Sequence, residues 1–503
     1  MLFNEKQDGG ICMKKLKLVS LLCAAAIVAG VFPGCQSGQP TASAASGGAV
    51  SAASTAGKDA PTLTWWLIGN QPQNLQEGVD KINAYTAPKI GVKVDIKVAG
   101  WGDWSDKINQ IVNSGEKFDI MFTNNTKFSR QVDMGAFADL TDLVQKETPD
   151  LYQFIPKAIW KGAMIKNKIY AVPTYKDSSI TQYWAFDDTY VKKYNIDVAN
   201  TKTFDTLDKA LTKIKQGEGK SCYPLNLTQN DAFSGMLNNY DDLTLGLQPI
   251  GVRIDDKSHK VVSVLEQPDV KADLKMMHKW YKSGVINPDA PTQKDASKNR
   301  VFFSAQGFPG AEIGWAVNEG EKKIDTVQAA DPILTNSSIQ GSLNAISANS
   351  QHKTEALKFL QLVNTDQKLR DMLAYGVEGK DFKYTSSKVV KRLTDTWGIG
   401  NYAIGTFFDM ATQSDAPADQ WEQVKKLNEK AVTSTCLGFT PDISKLSTAI
   451  TNCQTTWDKY RFELMTGASD PDTTIPKIVS ELKNSGMDTI IKELQSQIDA
   501  QFK

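Results

Sequence analysis

Between Leu63 and Phe122 the apolar positions switch repeatedly between a period of two and a helical period, and this alternation constrains the fold more than any other feature of the chain. Leu63-Thr-Trp-Trp-Leu-Ile-Gly69 is rich in strand formers and closed by glycine, after which Val79, Ile82 and Tyr85 recur at helical spacing. Val92, Val94, Ile96 and Val98 alternate with Lys93, Asp95 and Lys97 as a second strand, Ile108 and Ile111 mark a second helix, and residues 118–122 form a third strand. Strand–helix–strand repetition predicts a mainly parallel sheet covered by helices, with ligand groups at the carboxyl ends of the strands. The loops after Gly69, Val98 and Phe122 are therefore expected to face one crevice.

Further along, residues 168–175 read as a strand ended by proline and 205–215 as an amphipathic helix closed by Gly217 and Gly219. A short strand at 261–265 and a helix at 268–283 follow, and 300–307 fits helix and strand equally. Residues 341–348 read as a strand, and Ala356, Leu357, Leu360 and Val363 make one helical face. The last third reads as helical, over 421–434, 442–466 and 475–501. Nothing repeats at a fixed period, so a solenoid is not expected.

A chain of 503 residues with 41% apolar residues can bury a large core and suggests two or three folded units, two lobes being the natural division. The formal net charge is +0, and the first 34 residues hold Lys6, Lys14, Lys15 and Lys17 against Glu5 and Asp8. Without them the body is slightly acidic, so no basic field exists to grip nucleic acid. His259, His278 and His352 are the only histidines and none stands near another or near a cysteine pair, so no metal-site pattern and no cofactor are expected. Of the body cysteines, Cys436 and Cys453 either pair outside the cell or are buried free thiols, and Cys222 is left over; spacing does not decide.

Met13 is followed by Lys14, Lys15 and Lys17 and then an apolar run from Leu18 to Phe32 that stops at Gly34-Cys35. A spanning helix needs about 20 apolar residues, so this shorter run reads as an export signal over residues 1–34, with 1–12 an overextended start. Because the run halts at a cysteine, it resembles a bacterial lipoprotein leader, which implies that Cys35 becomes the lipidated first residue. Phe32 stands where such leaders usually carry leucine. Residues 36–60, nearly all Ser, Ala, Gly, Thr, Pro and Gln, cannot bury enough surface to fold and act as a tether with about 25–30 Å of typical reach.

Taken together, the leader and tether, Trp65-Trp66-Leu-Ile-Gly-Asn70, Gly115-Glu-Lys-Phe-Asp-Ile-Met121, Gly135-Ala-Phe-Ala-Asp-Leu140, Asn167-Lys-Ile-Tyr-Ala-Val-Pro173 and the 347–364 helix before Asn364-Thr-Asp366 resemble an extracytoplasmic solute-binding lipoprotein of a sugar-type ABC importer. Leu373-Ala-Tyr-Gly-Val-Glu-Gly-Lys380, Trp397-Gly-Ile-Gly-Asn401 and the helical tail are similar to the LplA-like subgroup of Gram-positive lipoproteins, which add a C-terminal domain. The resemblance covers residues 13–503. It implies a periplasmic-binding-protein-like α/β fold, two lobes joined by a multi-strand hinge with a helical C-terminal region. Lobe one is expected over 62–174 plus about 338–395, and lobe two over 175–337 plus about 396–503, after the lipid anchor and linker of 35–61. The implied role is a monomeric, lipid-anchored receptor on the outer face of the cell membrane. It takes a carbohydrate, an oligosaccharide by preference, and hands it to ABC permease subunits without chemistry of its own.

Sugars present hydroxyls at their edges and C–H patches on their faces, so their sites need flat aromatics together with Asp, Asn, Glu or Arg. Candidates at the expected crevice are Trp66 and Asn70 after the first strand, Trp101 and Trp104 after the second, Asn124 and Asn125 after the third, and Tyr175 and Lys176 after the hinge strand. Glu312 follows Gly307-Phe-Pro-Gly-Ala311, and Glu378 and Trp397 lie in the motifs that carry the resemblance. Against each stands a packing or turn role, and Trp421 and Trp457, on helical faces, read as core. The competing functions are a peptide-binding or adhesion lipoprotein and a secreted glycoside hydrolase. The hydrolase needs a carboxylate pair about the scissile bond, and no catalytic signature or Gly-x-Ser-x-Gly elbow accompanies the acids present.

Overall fold

The computed structural model describes residues 60–229, 233–294, 297–320 and 322–502; the expected leader, Cys35 and nearly all of the tether lie outside these residues. Thr62–Asn70 runs parallel to Lys93–Ala99 on one edge, from Thr62↔Lys93 to Ile68↔Ala99, and to Ile120–Thr123 on the other, at Trp65↔Ile120. Leu343–Ile346 returns antiparallel between Ile120–Thr123 and Ala171–Pro173, and Gly398–Ile399 pairs with Gly69 and Asn70. This register gathers Asn70, Ala99, Thr123, Pro173 and the start of Leu343–Ile346 at one edge of the sheet. Alternation sends Leu63, Trp65 and Leu67 into the core beneath it. Trp65 meets the Phe359 ring edge-on at 5.6 Å, and its indole N–H donates to Asn344 Oδ1 at 2.9 Å. Full burial of each such apolar side chain contributes about 1.5–3 kcal/mol.

A second sheet is centred on Gln182–Asp187, flanked antiparallel by Phe302–Gln306 and Ile324–Gln328. Leu225 bridges in parallel to Ile286 and Phe302 on its far side. Its core holds Trp184, Phe186, Phe302 and Trp280, and it is continuous with Trp457, Leu464, Ile478 and Leu494 from the helices Ser447–Met465, Pro471–Asn484 and Met487–Phe502. The last helices are thus part of the second lobe's core. A meander of Tyr240–Asp241, Ile250–Arg253 and Val261–Ser263 lies beside them.

Among the described residues, three stretches of chain pass between the two cores. Ile180 and Ile333 exchange backbone bonds of 2.8 and 2.9 Å, while Ile333–Leu334 pairs in parallel with Val432–Thr433. Asn428 braces the first crossing: its amide N–H donates to Lys176 O, and its Oδ1 accepts from Ser179 N at 2.9 Å and Ser179 Oγ at 3.0 Å. The two-lobe α/β fold with a multi-strand hinge is present as expected, but residues 397–404, expected in lobe two, pack in the first core because Gly398 and Ile399 pair with the first strand.

Several local expectations need correction. Ahead of the expected helices, Phe382–Ser386, Val389–Arg392 and Thr412–Gln413 form a small sheet. The helix expected over 421–434 ends at Lys430, since Val432 and Thr433 are β-branched and enter the third crossing. The helix expected over 475–501 is two helices, separated at Gly486, whose φ of 108° only glycine adopts readily. The ambiguous 300–307 stretch is the strand Phe302–Gln306. Cys436 and Cys453 are buried and, among the described residues, unpaired.

Candidate functional site

The collected strand ends carry a polar and aromatic surface at the edge of lobe one. Trp101 is 48% exposed, and its ring lies nearly parallel to that of Tyr402, 27° apart with centroids at 6.0 Å. Tyr402 in turn meets Phe122 edge-on at 5.8 Å. Gly400 permits this arrangement, because a Cβ there would stand 3.0 Å from Trp101 Cη2. A half-exposed indole held nearly parallel to a partly buried phenol ring offers the flat apolar face that a sugar's C–H patch stacks on.

Asn125 extends the surface towards the second lobe. With Ile180 and Ile333 of the crossings and Asn238, Asp242 and Gln248 of lobe two, it lines a cavity of about 210 Å³. These amides and the carboxylate supply both donors and acceptors for hydroxyls. Asp242 is held in place by Ser337 Oγ, which donates to its Oδ1 at 3.0 Å, and by Thr244 N at 3.1 Å. Asp241, in the same wall, is buried; burial pushes its carboxyl up to about 6, although it accepts from Ser434 Oγ at 2.6 Å and Leu243 N at 2.9 Å.

The remaining candidates divide by burial. Asn70 is exposed and pairs with Gly398, at the same strand end as Trp101. Asn124 closes a turn, its Oδ1 accepting from Thr126 N at 3.2 Å and Thr126 Oγ1 at 2.7 Å. Tyr175 is buried against Phe408 at 4.4 Å and Phe154 at 6.0 Å, and burial pushes its hydroxyl up to about 12. Lys176 is spent on Asp177, at 2.7 Å. Glu312 accepts from Gly310 N at 3.1 Å beside Tyr183, in lobe two.

Four candidates stand away from the platform. Trp66 lines a groove with Gln71, Asp95 and Lys97 and lies under the Lys107 ammonium at 4.9 Å. Glu378 is exposed beside the Phe382–Ser386 hairpin. Trp104, 5% exposed, opens the helix Trp104–Ser114 and packs on Phe122 at 5.2 Å. Trp397, 2% exposed, donates to Leu373 O at 2.9 Å and fills the space left by Gly78 and Gly376. Both tryptophans are core, because their faces are covered by protein. Sequence reasoning missed Tyr402, Asn238, Asp242 and Gln248. The signal for Tyr402 stood one residue past Trp397-Gly-Ile-Gly-Asn401, where two glycines bring the chain against the first strand.

Residues 81–378 match the family model described as bacterial extracellular solute-binding protein, and residues 435–503 match a domain of unknown function, DUF3502. A carbohydrate ABC transporter substrate-binding protein of Streptococcus pneumoniae serotype 4 is 30% identical over 456 residues, which span 88% of this chain and 92% of the relative. Among solved structures, the N-glycan transport solute binding protein NgtS of Streptococcus pneumoniae superposes with a TM-score of 0.79 at 29% identity, over 88% of this chain and 99% of that one. Its complexes with Man1GlcNAc and Man5GlcNAc superpose with TM-scores of 0.72 and 0.69 at the same 29% identity.

Proposed function

The chain belongs to the bacterial extracellular solute-binding protein family, and from that premise we propose that it captures an oligosaccharide containing mannose and N-acetylglucosamine between its lobes and delivers it to the permease of an ABC importer. The observation that carries this reading is the span of the likeness. It runs through both lobes and the crossings, to a relative described as a carbohydrate substrate-binding protein. The Trp101–Tyr402 platform and the amide-lined cavity around Asn125 supply the two kinds of surface a sugar needs.

Closure of the lobes is the mechanism. A ligand shifts an open–closed equilibrium only by its differential affinity for the two states, so groups from both lobes must meet the glycan at once.

The protein works as a monomer and performs no reaction on its ligand. Lipidation at Cys35 ties it to the outer face of the membrane in a Gram-positive cell, and residues 36–60 hold the lobes clear of that surface. Calorimetry with Man1GlcNAc and Man5GlcNAc, with analysis of the recovered sugar, tests the binding role: saturable binding with intact glycan is expected, and a cleaved product overturns it. Palmitate labelling of the native chain and of C35S tests the anchor, since loss of label and release into the medium are expected only for the variant.

A further inference from the structure

The segment that carries Tyr402 owes its shape to buried side chains that grip its backbone. Ser342 Oγ donates to Tyr402 O at 2.7 Å, and Asn344 Nδ2 donates to Ala403 O at 2.9 Å and Ile404 O at 3.2 Å. Asn364 Oδ1 accepts from Thr406 N at 2.9 Å. Arg370 spans the whole turn: its Nε donates to Thr406 O at 2.7 Å and its Nη2 to Asn401 O at 2.9 Å. All four side chains are buried, Arg370 at 0% exposure.

A buried guanidinium is expensive unless it is paired. The neighbouring Asp371 is committed elsewhere, accepting from Ala411 N at 2.8 Å and Tyr384 OH at 2.8 Å, and Arg370 Nη1 has no hydrogen-bond partner among the described residues. Burial pulls the guanidinium down to about 10, which still leaves it charged at neutral pH. A methionine would fill most of this volume without the desolvation cost. What it lacks is the rigid fork that reaches two carbonyls five residues apart and fixes the distance between them. Those carbonyls bracket the short helix Asn401–Ile404, on which Tyr402 sits.

We propose that Arg370 is a positioning residue for ligand binding: by clipping Asn401 O to Thr406 O it holds the Tyr402 ring in register with Trp101, while touching no ligand itself. The proposal rests on the reading of Trp101 and Tyr402 as the sugar platform. Ser342 acts in the same direction through the Tyr402 carbonyl.

The test is a double-mutant cycle on Man5GlcNAc affinity, with R370M, R370K, S342A and Y402A. R370M is expected to weaken binding by up to about tenfold, the loss that the displaced Tyr402 stacking surface itself would cause, with R370K intermediate. In the Y402A background R370M should change affinity by less than about twofold, because its effect passes through a ring no longer present. S342A gives the same pattern if R370M folds poorly. Equal losses in both backgrounds overturn the proposal. A ligand-free readout separates it from the glycan reading. Acrylamide quenching assigned to Trp101, as the difference between each protein and its W101F counterpart, should rise in R370M and S342A; unchanged quenching also overturns it. Failure of the native protein to bind Man5GlcNAc counts against the glycan reading, and the quenching then decides the positioning role.

Discussion

Replacing Gly78 by alanine probes whether Trp397 is core or ligand site. Gly78 lies inside the helix Leu75–Ile90, where alanine would ordinarily gain about 1 kcal/mol over glycine. A Cβ at 78 would stand 2.3 Å from Trp397 Cη2 and 2.7 Å from Cζ3, well inside contact distance. The ring cannot easily retreat, since a Cβ on Gly376 would already lie 2.8 Å from its other side and its N–H is bonded to Leu373 O. Overpacking of this kind costs about 1–3 kcal/mol, so G78A should destabilise by up to about 2 kcal/mol net of the helix gain. Phenylalanine at 397 lacks the outer carbons that press on Gly78. W397F alone should cost about 2–4 kcal/mol, from the cavity and the unpaired Leu373 carbonyl. In that background G78A should change sign and stabilise by about 1 kcal/mol, because its methyl enters vacated space. Urea midpoints and m-values of the four proteins measure the cycle, with Man5GlcNAc affinity recorded on each. An equal cost of G78A in both backgrounds refutes the packing argument. A selective loss of affinity in W397F, with the fold intact, would return Trp397 to the ligand site.

W101A and Y402A should each weaken Man5GlcNAc binding about tenfold or more in calorimetry, the order expected for one aromatic stacking surface, while leaving the melting temperature within a few degrees. Asp241 should make the fold pH-dependent. Its carboxyl is raised from 3.8 to about 6, so its contribution is fully present below the unfolded value and is lost as pH climbs through about 6, a change of about 3 kcal/mol. D241N should therefore be more stable than the native chain at pH 7.5 and lose that advantage near pH 4, in urea titrations at both pH values. Burial pushes the Cys436 and Cys453 thiols up to about 12 and about 11, so neither should react with a thiol reagent at pH 8 until urea unfolds the chain. N428A should lower stability by about 1–3 kcal/mol through the unpaired groups it leaves on Lys176 and Ser179.

The first sheet was legible because its pattern is local. Leu63, Trp65 and Leu67 against Val94 and Ile96 set both the strand period and the buried face, and carboxyl ends of parallel strands define one edge. Short elements were not legible: Phe128–Asp133, Thr141–Glu147, Pro149–Phe154 and Lys157–Ala163 are each too brief to show a helical period. The site failed in sequence where one residue's direction mattered. Trp101 and Trp104 stand three apart in Gly100-Trp-Gly-Asp-Trp104, yet the second opens a helix and turns onto Phe122 while the first faces outwards. Asn125 was found from its strand, but its partners Asn238, Asp242 and Gln248 come from a distant meander whose approach depends on the hinge.

That hinge also gives the C-terminal region a physical place. Leu437 packs in the first core, against Gly162 and Ile339, while Cys436 and Phe439 pack in the second. Asn336 locks the segment between them, accepting from Gly438 N at 2.8 Å and donating to Phe439 O. Thr440 Oγ1 reaches back to Met164 O at 3.2 Å. The region matched by the domain of unknown function therefore begins as a strap across both lobes and continues as helices that complete the second core.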